Sequence, residues 1–146
     1  MRRPWIKFWQ MARTDPYYRL QAISWLRIAA VNGLLAVAAG AFGAHGLEGK
    51  VPVMDLAAFR TAAQYHMYHA LALLAVAWLA DKKPDSLAQN FSGWLFLVGI
   101  IFFCGSLYVL AATGSRSLVM LTPLGGLAFM LGWGAMALSA LTRRGT

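Results

Sequence analysis

Residues 59–78 read Phe59-Arg60-Thr61-Ala62-Ala63-Gln64-Tyr65-His66-Met67-Tyr68-His69-Ala70-Leu71-Ala72-Leu73-Leu74-Ala75-Val76-Ala77-Trp78. The second half is apolar enough to lie in a lipid bilayer. The first half packs Gln64, Tyr65, His66, Tyr68 and His69 into less than two helical turns. At 3.6 residues per turn, His66 and His69 are neighbours, and so are Tyr65 and His69. Polar side chains at membrane depth are costly unless they find partners, so this cluster is the first candidate for a site.

The rest of the chain has the same character. Its 146 residues are 60% hydrophobic, 12% charged and have a mean hydropathy of +0.57. Soluble domains carry roughly 45–50% apolar residues. Four apolar stretches, residues 23–44, 62–80, 92–112 and 118–141, each supply the roughly 20 residues that cross about 30 Å of hydrocarbon. None shows the polar face that a helix of a soluble bundle needs. The predicted fold is an all-α integral membrane protein: four transmembrane helices in an antiparallel bundle (residues 22–146) after an N-terminal amphipathic arm (residues 1–21). The connections, residues 46–61, 81–91 and 113–117, are short enough to join antiparallel neighbours.

The formal net charge of +8 does not point to nucleic acid, because the basic residues flank apolar segments instead of forming a stripe. Arg2, Arg3, Lys7, Arg13, Arg19, Lys82, Lys83, Arg143 and Arg144 fall on the side of the termini, and Arg27 can snorkel there. Lys50, Arg60 and Arg116 fall on the other. The positive-inside rule then predicts both termini in the cytoplasm.

In the arm, Trp5, Phe8, Trp9 and Ala12 recur near helical spacing among Arg and Lys, which suits a helix in the headgroup region. Pro16 ends it by disfavouring helical geometry at Asp15. A secretory signal peptide also places basic residues before an apolar stretch, but this charged lead is too long for one. With Tyr17 and Tyr18, the aromatics form an anchor for lipid, for other membrane proteins or for a larger membrane complex.

Small residues recur at packing intervals. Asn32, Ala36, Gly40 and Ala44 step by four, and Gly125, Ala128, Gly132, Ala135 and Ser139 by three and four. Such stripes, with Gly33, Gly43 and Gly126 beside them, predict close helix approach. Thr122 is placed to cap the last helix and Pro123 to occupy its first turn.

Four motifs occur in order: Gly40-Ala41-Phe42-Gly43-Ala44-His45-Gly46-Leu47, the run from Gln64 through Leu74, Gly105-Ser106-Leu107-Tyr108, and Thr122-Pro123-Leu124-Gly125-Gly126 with Gly132-Trp133. Together they resemble the family called domain of unknown function 423, small four-helix membrane proteins of bacteria with eukaryotic relatives. The resemblance covers about residues 26–141. It implies the four-span fold in a bacterial inner membrane and brings no biochemical activity with it. Where the family pattern usually places Gln this chain has His66, and where it often has Ser this chain has Cys104. A metal or haem role for His66 is therefore not a general property of the family.

The orientation puts His45, Gln64, Tyr65, His66, His69, Ser106, Tyr108 and Thr122 together at the outer end of the bundle, as one candidate site. The expected arrangement is a hydrogen-bond network, with His69 held by Tyr108 or Ser106 and His45 by a backbone carbonyl. The rival is a His-based site for haem, copper or another metal, with Met67, Met54 or Cys104 as soft ligands, or a pocket for a quinone head. No metal-spacing motif such as HExxH, phosphate loop, dinucleotide fingerprint or nucleophile elbow occurs. The span cores hold no Asp or Glu to relay protons, and nothing orients His69 as a base for Ser106 or Cys104. Cys104 is the only cysteine, so no intrachain disulfide can form. The expected function is that of an accessory or structural subunit, with no catalytic residue and no resident cofactor.

Overall fold

A computed structural model describes residues 16–82 and 87–141. Helix α1, Pro16–Ala41, begins at a proline, whose fixed φ and missing N–H suit a first turn. It widens into a π turn, Phe42–Gly46, in which the Leu47 N–H reaches the Phe42 carbonyl at 3.1 Å. Helix α2 runs Val53–Lys82. Helix α3, Leu87–Gly99, passes through a second π turn, Ile100–Cys104, into α4, Gly105–Thr113. There Gly114, at φ +70°, ends the helix with its N–H on the Leu110 carbonyl. Helix α5 is Leu121–Leu141 with Pro123 in its first turn.

Two expectations are corrected. Helix α2 starts nine residues before residue 62, because the Pro52 carbonyl accepts the N–H groups of Asp55 and Leu56 at 3.0 and 2.9 Å and so nucleates the helix there. The backbone of Tyr17 and Tyr18 belongs to α1, continuous with the apolar helix, and not to a separate arm. Trp5, Phe8 and Trp9 lie outside the described residues.

Every described element is a helix or a connection between helices. Three stretches are long and apolar enough to cross a membrane: Ala22–Gly46, Leu87–Thr113 and Leu121–Ser139. Helix α2, at 30 residues, is longer than any of them, but its polar run dilutes its apolar character.

The helices pack antiparallel. Ala22, Ile23 and Leu26 of α1 face Leu74, Ala77 and Trp78 of α2. Along α3 and α5, Ser92 donates to the Gly132 carbonyl at 2.8 Å, Phe96 meets Gly132, and Phe129 meets Gly99. A π turn adds a residue to one helical turn and rotates the next segment of the helix by roughly 100°. Before it, α3 packs mainly on α5; beyond it, Tyr108 of α4 turns to Phe59 and His66 of α2. The core so formed centres on Phe96, Leu73 and Val76, with Trp25 and Phe129 beside them. Trp25 sends its indole N–H to Asn90 Oδ1 at 2.8 Å.

The glycines divide sharply. A Cβ at Gly125 would run into the backbone nitrogen of Phe103, one at Gly132 would lie 2.7 Å from the Phe96 ring, and one at Gly43 would lie 2.9 Å from Phe59. At Gly126 it would make only ordinary contact with Phe103, at 3.9 Å. A Cβ at Gly33 or Gly40 would meet nothing within 4 Å, against the expectation of close packing there. Around Gly40, α1 and α2 part to leave a crevice of about 280 Å³ that also borders Ala36, Phe59, Ala63 and Met67.

Candidate functional site

The two histidines occupy the middle of α2: residues 53–65 before them and 70–82 after them are 13 residues each. Three positions apart, they diverge by about 60° around the helix and meet different neighbours. His66 is buried against α1 and α4. Its Nε2 lies 3.0 Å from Asn32 Oδ1, and its Nδ1 lies 3.3 Å from the Tyr108 hydroxyl. Asn32 Nδ2 donates to the Ile28 carbonyl at 2.8 Å, which orients the amide and leaves Oδ1 as an acceptor. The protons are thereby assigned: Tyr108 O–H donates to Nδ1, and His66 Nε2–H donates to Asn32.

His69 turns towards α5. Its Nδ1 is 2.8 Å from the Tyr65 carbonyl, which can only accept, and its Nε2 is 3.3 Å from the indole nitrogen of Trp133, which can only donate. His69 is therefore the neutral Nδ1–H tautomer, opposite to His66. Its ring stacks on Phe129 at 3.4 Å and 7°. Trp133→Phe keeps the ring and removes the donor. The loss should be about 0.6–1.7 kcal/mol, the range of side-chain hydrogen bonds in membrane bundles, and read as a lower thermal midpoint in detergent.

The remaining candidates part company. Ser106 and Thr122 share a hydrogen bond of 2.7 Å that ties α4 to α5, so the Thr122 hydroxyl serves a contact between helices and not the expected cap. Neither Ser106 nor Tyr108 reaches His69, contrary to the expected pairing, because the π turn aims Tyr108 at His66. His45 is exposed in the first π turn, at the far end of α1, and has no hydrogen-bond partner among the described residues. The expected outer-end cluster is thus dispersed, with its histidine pair midway along α2. Gln64 is exposed and donates to the Tyr68 hydroxyl at 2.6 Å.

Among the described residues no three His, Cys, Asp or Glu gather to hold a metal ion. Cys104 is fully buried in the core, and Met54 is exposed in the first turn of α2. Each ring nitrogen of His66 and His69 already has a partner, so binding iron or copper would break a bond that ties helices together or fixes a ring. Sequence reasoning missed Asn32 and Trp133 as partners. Asn32 stood in a packing stripe and Trp133 in a motif, and no spacing rule links either to α2.

A groove of about 590 Å³ lies between α2 and α5, lined by Tyr65, Tyr68, His69, Phe103, Pro123, Gly126, Phe129 and Trp133, among others. Tyr65 stacks against Phe103 at 4.8 Å and 30°. Tyr68 and Met130, each midway along its helix, are 50% and 66% exposed on its rim, so the groove opens on the side of the bundle.

Apolar helices long enough for a bilayer, joined by buried polar pairs, define a small polytopic membrane protein. The chain belongs to the family described as Protein of unknown function (DUF423), whose sequence profile matches residues 39–126. It is similar to the UPF0382 membrane protein YwdK of Bacillus subtilis, 50% identical over 78% of this chain and 93% of that protein. A UPF0382 membrane protein of Staphylococcus epidermidis is 43% identical over 78% and 92% of the two chains. One of Haemophilus influenzae is 40% identical over 77% and 90%. No solved structure matches.

Proposed function

We propose that the protein is a four-span helical bundle of the bacterial inner membrane, with both termini in the cytoplasm. It acts as an accessory protein through other membrane proteins and performs no catalysis of its own. The observation that carries this reading is that all four ring nitrogens of His66 and His69 are engaged inside the fold. Groups so engaged hold helices in register and are poorly placed to exchange protons or bind a metal. The outer face of α1 supports the other half of the reading. Val31, Leu34, Leu35 and Val37 are all more than half exposed, and α1 packs chiefly on α2.

A photo-crosslinking residue at Leu34 should give one discrete protein adduct in intact membranes. Adducts with lipid alone would count against the accessory role. A reporter fused after Thr146 should be active only in the cytoplasm, and periplasmic activity would reverse the orientation. A Soret band, or stoichiometric copper lost on His69→Ala, would replace this reading with a cofactor site.

A further inference from the structure

The groove between α2 and α5 is not used by the accessory reading, and it carries a chemical demand of its own. Tyr68 accepts the Gln64 N–H through its hydroxyl oxygen, which leaves its own proton free to donate. The Tyr65 hydroxyl has no hydrogen bond among the described residues. Both side chains line the groove and are exposed, Tyr65 by 39% and Tyr68 by 50%. On the four-span reading proposed above, on which this inference rests, Tyr68 at the middle of α2 lies at the depth of the hydrocarbon. An O–H donor facing hydrocarbon has nothing to bond, so two in one groove call for a ligand with acceptor oxygens.

The walls narrow the class. Tyr65, Tyr68 and Trp133 expose aromatic surface to the groove, against which a planar conjugated ring can pack. Gly126 leaves one wall without a side chain. The lining holds no Lys or Arg, so a phosphate headgroup would find no counter-charge. The volume, about 590 Å³, falls within the roughly 300–1,000 Å³ typical of small-molecule sites. The lateral opening would let a long hydrocarbon tail remain in the bilayer.

We propose that this groove binds the head of an isoprenoid quinone, with Tyr65 and Tyr68 donating to its carbonyl oxygens and its ring lying against the aromatic lining. No electron transfer is part of the proposal; the site is a binding site.

The test uses the full chain in mild detergent, titrated with a short-prenyl naphthoquinone while tryptophan fluorescence is followed. Trp133 borders the groove, so bound quinone should quench part of the emission saturably. The double variant Tyr65→Phe, Tyr68→Phe should raise the apparent Kd about tenfold, from two membrane hydrogen bonds lost. Its melting curve should stay as in the parent, since neither hydroxyl bonds across helices. Gly126→Leu should abolish saturation by filling the groove. Absence of saturable quenching in the parent would overturn the proposal, as would an unchanged Kd in the double variant. Displacement of the quinone by phosphatidylglycerol would also overturn it, by assigning the groove to a phospholipid.

Discussion

Gly125→Leu is expected to prevent assembly of the native bundle, whereas Gly40→Leu leaves it intact. At Gly125 the obstacle is the backbone of Phe103, which no rotamer change can move aside. Overpacking a core costs typically 1–3 kcal/mol, and a backbone collision at a helix crossing belongs at or above the top of that range. A small bundle has only about 5–15 kcal/mol in total, so monodisperse protein should largely disappear from detergent extracts. Gly40 faces an open crevice, and replacing Gly within a helix gains roughly 0.5–1 kcal/mol of backbone entropy. Its thermal midpoint should be unchanged or slightly raised. Equal behaviour of the two variants would mean that α5 does not approach the second π turn as closely as described.

His66→Ala should be the most damaging single change in the polar interior, while His66→Gln should be tolerated. Alanine strands both Asn32 Oδ1 and the Tyr108 hydroxyl and leaves a cavity between three helices. Membrane hydrogen bonds average about 0.6 kcal/mol each, so the two bonds alone account for about 1 kcal/mol. The missing ring volume should bring the total to about 2–3 kcal/mol. Glutamine supplies a donor for Asn32 and an acceptor for Tyr108 from one side chain, and should remain within about 1 kcal/mol of the parent. Thermal unfolding of the three proteins in the same detergent makes the comparison. A His66→Gln protein as unstable as the alanine variant would show that ring shape, not hydrogen bonding, is what the site requires.

Composition made the membrane class legible, and the apolar runs located the helices, because both depend on local sequence. The histidine partners depend on relative rotation of helices, which local sequence does not report. His69 was expected to meet Ser106 or Tyr108, but the second π turn rotates α4 so that Tyr108 reaches His66. Nothing in Ile100-Ile101-Phe102-Phe103-Cys104 announces that widened turn. Asn32 looked like one more small-stripe position, yet its amide is the acceptor that fixes the His66 tautomer. The position of the cluster shifted for a simpler reason. Pro52 starts α2 earlier than the apolar run does, so residues that opened the expected span lie at the centre of the observed helix. Gly33 and Gly40 show the limit of spacing arguments: an interval of four marks a face, not what stands opposite it.

The division of the histidine partners bears on the birth of the protein at the ribosome. Each ring has one partner made before it and one made long after. Asn32 and the Tyr65 carbonyl precede their histidines in the chain, whereas Tyr108 and Trp133 emerge only with the second pair of helices. A hairpin of α1 and α2 alone satisfies one nitrogen of each imidazole and leaves the other open. Those open valences face the sides where α4 and α5 arrive, so the nascent first half carries the docking code for the second.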